Sequence, residues 1–405
     1  MRLGIPENLN PETFSRTYKD RCLYFVHKIN SLQYMNKNLN AGDFVTLSHS
    51  VLNTDLFGGN YKKVIRELVL RGVIEKRVTG YASFDYGKSN EVTGYRLTEK
   101  YRNKYLKWIE IEDLKLKKKL MVYRQTLSAR ESMFVNSLNK LEFDFDGAIQ
   151  YVNKKYRHGT NPHKRRIALI EHLRQDKLFC LTDGNKPQRL YTSFSIMPKD
   201  LRQFFTNDLC QLDVSSCQIY HFIPDLIKYR DKNISESYTK TDKFGNEITG
   251  NDVELFIELV SNGTFFEYAM KSINFTGTKR EFKNKFFKEY WYCDNSVMVS
   301  KLKNFLDCTF PTVSEAISYY KKSLRFPYDN KEERFKNFPI RMQILERENI
   351  VDDICGKLIK ENPEMIVLSN QDAIYCESKH GDYVYNLMLN SLTEKINYKP
   401  YIKYA

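Results

Sequence analysis

The chain has 405 residues and a formal net charge of +14 at pH 7, and it contains 28 Tyr and 26 Phe. A basic chain that is rich in aromatic side chains is typical of a protein with a polyanionic partner, because cations neutralise phosphates and rings stack on bases. The eight cysteines show no zinc-site spacing, and no apolar run reaches the roughly 18 residues that span a bilayer, so we expect a cytoplasmic protein with reduced thiols that is neither a zinc protein nor a membrane protein.

The first predicted elements form a small module near the N-terminus. Residues 48–56 and 61–71 predict two helices, and residues 73–78 and 91–97 predict the two strands of a ribbon. This order of elements resembles a winged helix-turn-helix, and we expect such a nucleic-acid-binding domain over residues 1–110.

The second helix of this module carries candidate nucleic-acid contacts. Its predicted apolar stripe consists of Val64, Leu68 and Leu70, and Gly72 is expected to end it. The resemblance implies that this helix enters the major groove while the wing contacts the backbone. The candidate contacts are then Lys62, Lys63, Arg66 and, in the wing, Lys88. The alternatives are that the helix only packs the domain or that the module binds protein.

A basic region follows this module. Residues 114–140 predict a charged connector helix with a solvated face. Residues 154–166 hold six Lys and Arg side chains together with Gly and Pro, which predicts a loop suited to a nucleic-acid backbone. We expect residues 111–185 to form a helical connector or thumb-like region.

Two isolated aspartates lie in apolar, strand-like segments that are far apart in the sequence. Asp213 follows Leu-Cys-Gln-Leu, and Asp372 lies in Leu-Ser-Asn-Gln-Asp-Ala-Ile. A carboxylate at the end of a buried strand is costly unless it is paired or binds a cation. Two such strands side by side would form a platform for divalent metal ions, as used in two-metal phosphoryl transfer.

The motifs from Arg189 to the C-terminus resemble the palm and fingers of family-A DNA polymerases, in the order that the family shows. The segment Leu-Asp-Val-Ser-Ser-Cys-Gln-Ile around Asp213 is similar to the family's first palm motif, and Gln-Asp-Ala around Asp372 is similar to its last. The resemblance implies that both aspartates ligate two Mg²⁺ ions and that the Val214 carbonyl is a further ligand. The family's glutamate that excludes a ribose 2′-hydroxyl has no clear equivalent here. Gln218 lies at its distance from the aspartate, and Tyr220 follows the Gln-Ile pair in its place, so the choice of sugar stays open.

The segment between these motifs is similar to the family's fingers helix. Lys279, Lys283, Phe287 and Trp291 recur every four residues and therefore share one face of a helix. The resemblance implies that the two lysines bind the triphosphate of the incoming nucleotide and that the two aromatic rings stack against its sugar and base.

Two further residues match family positions that contact nucleic acid in the minor groove. Arg189 lies in an Arg-Leu-Tyr-Thr-Ser segment that precedes the first palm motif. Gln343 follows a Phe-Pro-Ile step that precedes the last one. Acceptors at the minor-groove edge are shared by all base pairs, so a donor there can check pairing geometry without reading sequence.

The resemblance implies an α+β fold in which a winged helix domain precedes a polymerase right hand. The right hand, with an antiparallel palm sheet, helical fingers and a reduced thumb, is expected over residues 186–405. The implied activity is template-directed nucleotide polymerisation, in the first place by a DNA polymerase that acts on a DNA primer-template with nucleoside triphosphates.

Two alternatives stay open at this point. Because the sugar-excluding glutamate is missing, a single-subunit RNA polymerase or a primase-like enzyme fits as well, and RNA then becomes a partner. The other alternative is a winged-helix replication initiator whose palm is inactive. The small size and the attached DNA-binding module indicate an enzyme of a phage or a mobile element.

Overall fold

The chain folds into two compact units of mixed helical and strand structure, which confirms the predicted α+β class. A computed structural model describes residues 2–35, 39, 42–47, 61–84, 88–125, 127–183, 189–233, 240–241, 247–248, 251–294, 300–328, 330 and 332–404. The first unit comprises Met1–Ser132, Leu141–Leu181 and Thr192–Thr206, and the second comprises Met133–Lys140, Thr182–Tyr191 and Asn207–Ala405. The three-part division expected from the sequence stays a prediction.

The first unit combines short antiparallel strands with helices. Strands β1 and β5 pair with each other, and β2, β4 and β3 form a three-stranded sheet in that order. The strands are β1 (Arg2–Pro6), β2 (Val45–Thr46), β3 (Ile74–Phe84), β4 (Lys88–Leu97) and β5 (Leu106–Glu110). The next two strands of the chain, β6 (Leu181–Asp183) and β7 (Leu190–Thr192), pair with each other. The helices are α1 (Lys19–Met35), α2 (Tyr61–Leu70), α3 (Leu114–Gln125), α4 (Ala129–Lys140, which continues into the second unit), α5 (Phe145–Lys155), α6 (Asn161–Gln175), α7 (Ser193–Ile196) and α8 (Lys199–Arg202).

Helix α2 ends as predicted but buries a different face. Gly72 has a φ of +63°, and the Val73 amide donates to the Leu68 carbonyl, so the helix closes in a Schellman arrangement that favours glycine. Its buried residues are Val64, Ile65 and Leu68, whereas Leu70 is 75% exposed. The prediction that Leu70 belongs to the apolar stripe is therefore wrong. At about 100° per residue, Leu70 points away from the stripe that Ile65 completes.

Two predictions for the basic region also need correction. The connector expected over residues 114–140 is two helices, because α3 ends at Gln125 and α4 begins at Ala129. The loop expected over residues 154–166 is confined to residues 156–160. Helix α6 begins directly after this loop because Pro162 stands in its first turn, where proline favours helical geometry and no amide hydrogen is needed.

The second unit is mainly helical and contains one four-stranded antiparallel sheet. Its strands are β8 (Leu209–Val214), β9 (Lys240–Thr241), β10 (Glu247–Ile248), β11 (Val367–Asn370), β12 (Ala373–Glu377) and β13 (Ile402–Tyr404). Its helices are α9 (Cys217–Tyr220), α10 (Ile223–Asn233), α11 (Asn251–Ser261), α12 (Phe265–Ser272), α13 (Lys279–Phe286), α14 (Lys301–Thr309), α15 (Pro311–Ser323), α16 (Asn337–Arg347), α17 (Gly356–Glu361) and α18 (Gly381–Ile396). Two π-helical turns, Phe287–Trp291 and Glu348–Cys355, continue α13 and α16. Among the described helices, none has the length and apolar character needed to cross a membrane.

The four-stranded sheet has the order β11-β12-β8-β13 and two unlike faces. Along β8, Cys210, Leu212 and Val214 are buried, whereas Gln211 and Asp213 are half-buried. This alternation follows from the two-residue period of a strand, which turns every second side chain to the core. Asp213 therefore lies on the more open face of the sheet.

Candidate active site

The two aspartates predicted to carry the chemistry lie side by side in the second unit. Ala373 in β12 pairs with Asp213 in β8, and the Val214 amide donates to the carbonyl of Asp372 at 3.2 Å. Asp372 thus lies just before β12, directly beside the end of β8. Both carboxylates are half-buried. Antiparallel pairing is what brings together two residues so far apart in the sequence.

Asp372 is held in place by a tight turn. Asn370 at the end of β11 pairs with Ala373, so Gln371 and Asp372 are the two residues of a hairpin loop. Gln371 has a φ of +62°, a conformation that favours glycine and that costs about 1 kcal/mol or more for other residues. Strain of this kind persists where the surrounding structure fixes the backbone, and it is frequent at functional sites.

Negative charge is concentrated at this end of the sheet. Burial, together with the nearby carboxylates of Glu346 and Asp213, raises the pKa of Asp372 to about 7. The same three carboxylates, after burial, raise the pKa of the Cys217 thiol well above its usual value. The negative charge of each carboxylate therefore raises the pKa of neighbouring groups, which indicates a site that a bound cation would stabilise.

The donors at this site fit a magnesium ion. Mg²⁺ prefers oxygen ligands and commonly takes one or two carboxylates, with water and substrate phosphates completing its shell. Asp213 and Asp372 supply two carboxylates of this kind, and the Val214 carbonyl is adjacent. Within the described part of the chain, no three His, Cys, Asp or Glu side chains are grouped as a metal-binding set. Substrate or water would therefore have to supply the remaining ligands.

Helix α13 carries both predicted lysines. It begins with a capping box between Thr278 and Glu281, and it buries Phe282. Burial lowers the pKa of Lys283, as do Lys403 and Lys279, whereas Asp213 and Asp372 act in the opposite direction, so Lys283 lies within the field of both aspartates. Its ammonium group also lies 5.0 Å from the centre of the Phe266 ring. Lys279 forms an ion pair with Glu267.

The π-helical turn after α13 changes which aromatic residues share the lysine face. The Tyr292 amide donates to the Phe287 carbonyl, five residues back, at 2.8 Å. This turn holds one residue more than an α-helical turn, so Tyr292 lies over Phe287, with ring centres 5.3 Å apart in a stacked arrangement. Trp291 is 0% exposed, and its ring centre lies 4.9 Å from that of Phe338. The prediction that Trp291 shares the exposed face of Phe287 is therefore wrong, because its side chain is buried, and Tyr292 is the aromatic residue that lies over Phe287.

Gln218 and Gln343 meet at Tyr292. The Tyr292 hydroxyl donates to Gln218 Oε1 at 3.1 Å, and Gln343 Nε2 donates to the same hydroxyl at 3.5 Å. Gln218 is 8% exposed and lies in α9, directly after the aspartate strand. Three side chains from three elements thus form one polar cluster near the carboxylates, and the sequence motifs had assigned two of them.

Arg189 is joined to this cluster through a residue that the motifs did not indicate. Arg189 Nη2 donates to Glu346 Oε1 at 2.8 Å, and Gln218 also forms a hydrogen bond with Glu346. Glu346 is 2% exposed. Burial raises its pKa, while Arg189 and Gln218 act to lower it. A glutamate three residues after Gln343 on a helix is the only sequence signal for this position, since that spacing places both on one side of α16.

The predicted contacts of the N-terminal module lie in the first unit. Lys62, Lys63 and Arg66 are exposed on α2, opposite its buried stripe. Lys88 begins β4, and its side chain lies outside the described part of the structure, as does the helix predicted over residues 48–56. Helix α2 and the β3–β4 ribbon are observed, and the winged helix-turn-helix stays a prediction.

Comparison with solved structures gives weak similarities. No family model matches the chain, and no curated protein matches it. A solved structure described as the POL domain of Pol1 from M. smegmatis, in complex with DNA primer-template and dNTP, matches with a TM-score of 0.33 and 12% sequence identity. The match covers 64% of this chain and 55% of that chain, so this chain spans about half the length of the structure it matches. At this TM-score we draw no conclusion from the similarity.

Proposed function

We propose that this protein is a template-directed nucleotide polymerase that transfers a nucleotidyl group from a nucleoside triphosphate to a 3′-hydroxyl. The observation that carries the proposal is the juxtaposition of Asp213 at the end of β8 and Asp372 just before β12, with Lys283 close enough for both carboxylates to affect its pKa. Paired carboxylates beside cations are the arrangement that phosphoryl transfer requires, because the substrate and the transition state are both rich in negative charge.

In this proposal, different residues of the site have different roles in the reaction. Asp213, Asp372 and the Val214 carbonyl would hold two Mg²⁺ ions. When bound, these ions supply Lewis-acid stabilisation of the phosphoryl oxygens and a lowered pKa for the attacking hydroxyl. Lys279 and Lys283 would bind the triphosphate from α13 and neutralise charge on the leaving group. Phe287 and Tyr292, stacked on each other, would offer a ring face to the sugar and base.

The choice of sugar would depend on Gln218. Its side chain is held by the Tyr292 hydroxyl and by Glu346, so it stands at a fixed position between the aspartate strand and the aromatic residues. A neutral amide can accept or donate a hydrogen bond, whereas a glutamate can only accept when ionised. We therefore propose a DNA polymerase with limited exclusion of ribonucleotides. Primer extension with dNTPs and rNTPs in parallel tests this directly.

Each unit would carry its own contacts to nucleic acid. Arg189 and Gln343 would lie towards the minor groove of the primer-template, and Lys62, Lys63 and Arg66 on α2 would contact a duplex. These assignments are supported by the exposed cations of α2 and by the polar cluster around Tyr292.

The proposal is tested by primer extension on a defined template with and without Mg²⁺. We expect metal-dependent incorporation by the natural protein and a loss of at least ~1,000-fold in Asp213→Asn and Asp372→Asn, because each substitution removes a charge that several kcal/mol of transition-state stabilisation depend on. Asp231→Asn is the matched control, since Asp231 is an exposed aspartate of the same unit, on α10. Equal incorporation by Asp372→Asn and the natural protein would contradict the role of the two aspartates, and a lack of metal-dependent incorporation by the natural protein would favour a DNA-binding protein with an inactive palm.

A further inference from the structure

A third lysine lies beside the candidate active site, on the last strand of the chain. Lys403 in β13 is the direct cross-strand partner of Asp213 in β8. Directly opposed residues of an antiparallel pair point to the same face of the sheet, with Cβ atoms roughly 4.5–5.5 Å apart. Lys403 therefore stands on the face that carries Asp213, where it is half-buried.

The residues on both sides of Lys403 fix its strand in place. The Ser215 amide donates to the Tyr401 carbonyl at 2.9 Å, which ties β13 to the end of β8. Gly263, with a φ of +70°, allows the Tyr401 ring to approach closely, since a Cβ atom added there would lie 2.6 Å from that ring. Gly381 makes room for the Tyr404 hydroxyl in the same way. Because the tyrosines on both sides are held in this way, the backbone position from which the Lys403 side chain extends is fixed.

Lys403 affects the pKa of two charged groups that belong to α13 or pair with it. After burial, Lys403 is the largest influence that lowers the pKa of Lys283, which α13 carries. It also acts to lower the pKa of Glu267, the carboxylate that pairs with Lys279. Lys403 is thus the cross-strand neighbour of Asp213 and lies close enough to Lys283 and Glu267 to affect the pKa of both.

We propose that Lys403 binds the phosphate groups of the incoming nucleoside triphosphate, as a third cation beside Lys279 and Lys283. This inference rests on the proposed function. The competing explanation is that Lys403 serves only as the counter-charge of Asp213. Once Asp213 holds a divalent cation, however, that carboxylate no longer needs a lysine. Glu267, the other carboxylate that Lys403 influences, already pairs with Lys279, so a bound polyanion is the partner that we assign to Lys403. A lysine on a four-carbon stem is suited to phosphate because it presents a compact charge with three donors.

The first measurement is the steady-state KM for the nucleotide at saturating Mg²⁺. We expect Lys403→Met to raise this KM about ten- to a hundredfold, in line with the loss of a hydrogen bond to a charged group, and to change kcat less. Lys403→Arg should recover most of the loss because it restores a cation. Lys399→Met is the matched control, since Lys399 is an exposed lysine just before β13. An unchanged KM in Lys403→Met would overturn the inference.

The second measurement does not depend on catalysis. Binding of inorganic triphosphate in the presence of Mg²⁺ is followed by calorimetry for the natural protein, Lys403→Met and Lys399→Met. Weaker binding in Lys403→Met alone supports a phosphate site, even if the natural protein incorporates no nucleotide and the polymerase proposal fails. Equal binding by all three proteins overturns the phosphate role, and lower thermal stability of Lys403→Met in that case would assign Lys403 to the charge of Asp213.

Discussion

Glu346 shows how a single buried side chain can organise a site. It joins Arg189 to Gln218 while being 2% exposed. The desolvation of two buried charges offsets much of their attraction, so such a pair adds little net stability. Removing one member is different, because the other charge is then left buried without compensation.

We therefore expect Glu346→Ala to destabilise the protein by about 3–5 kcal/mol. Glu364→Ala is the control, because Glu364 pairs with Lys140 at 2.7 Å but its side chain is 93% exposed, and exposed pairs contribute at most about 1 kcal/mol. Denaturant unfolding of both variants measures the difference. The double variant Glu346→Leu/Arg189→Met should recover much of the stability, since it removes both buried charges. A loss below about 1 kcal/mol in Glu346→Ala would contradict this account.

Sequence reasoning reached some of these residues and missed others for identifiable reasons. Asp213 and Asp372 could be predicted because a lone carboxylate in an apolar alternating segment is costly unless it has a function. Glu346 could not, because it begins the charged run Glu-Arg-Glu of a helix, which has the pattern of exposed residues. Tyr292 was missed because a π-helical turn adds a residue to the four-residue period, and no local pattern signals that turn.

At the scale of secondary-structure elements, a buried lysine holds the π-helical turn that follows α13. Lys321 in α15 is 4% exposed and donates to the carbonyls of Tyr290 and Cys293 at 2.5 and 2.8 Å. The Tyr290 hydroxyl in turn donates to Ser314 Oγ at 3.0 Å. Both ends of Tyr290 are thus fixed to α15, which stabilises the π-helical turn that presents Tyr292.

This lysine should make stability depend on pH in the alkaline range. Burial lowers the pKa of Lys321 to about 7, against an ordinary value of about 10.4 in an unfolded chain. Between these values the unfolded chain binds one more proton than the folded protein, so stability rises with pH, by at most about 1.4 kcal/mol per unit. Below pH 7 both states are protonated, and the cost of the buried charge is fully present.

The test compares the pH dependence of unfolding free energy between about pH 7 and 10 in three proteins. Lys321→Met should lose the slope that the natural protein shows in this window, although it is less stable overall because two carbonyls lose their donor. Lys322→Met should keep the slope, since Lys322 is the exposed neighbour in the same helix. The same slope in Lys321→Met and the natural protein would show that Lys321 is charged in the folded state.

Element boundaries were predictable where a local signal sets them and unpredictable where tertiary packing does. Gly72 marks the end of α2 in sequence and in structure, because its left-handed conformation disfavours a side chain. The break between α3 and α4 has no glycine or proline, but Ser128 and Glu131 form a capping box at the start of α4, which is a local signal that the prediction of one helix overlooked. Pairing of β8 with β12 could only be inferred from a resemblance, since register depends on contacts distant in sequence.

At the scale of the whole molecule, the excess of positive charge does not by itself identify a binding surface. The net charge is +14, and exposed cations occur on many elements. Each phosphate contact that a protein makes with duplex DNA contributes about 0.9 to the slope of log affinity against log salt concentration. If DNA binds at one surface, removing the cations of that surface should reduce the slope strongly. If DNA is attracted by net charge alone, removing the same number of cations elsewhere should reduce the slope equally.

Two triple variants of equal charge separate these cases. Lys62→Gln/Lys63→Gln/Arg66→Gln removes the exposed cations of α2, and Lys115→Gln/Lys118→Gln/Lys119→Gln removes three exposed cations of α3, so each lowers the net charge by three, from +14 to +11. If α2 contacts DNA, the first variant should lose up to about 0.9 in slope for each of the three contacts, and the second should lose much less. The slopes are measured by duplex DNA binding over a salt series. Because all six side chains are exposed, thermal unfolding should differ little among the proteins. Equal losses in both variants would mean that DNA is attracted by net charge alone and that α2 has no particular part in binding it.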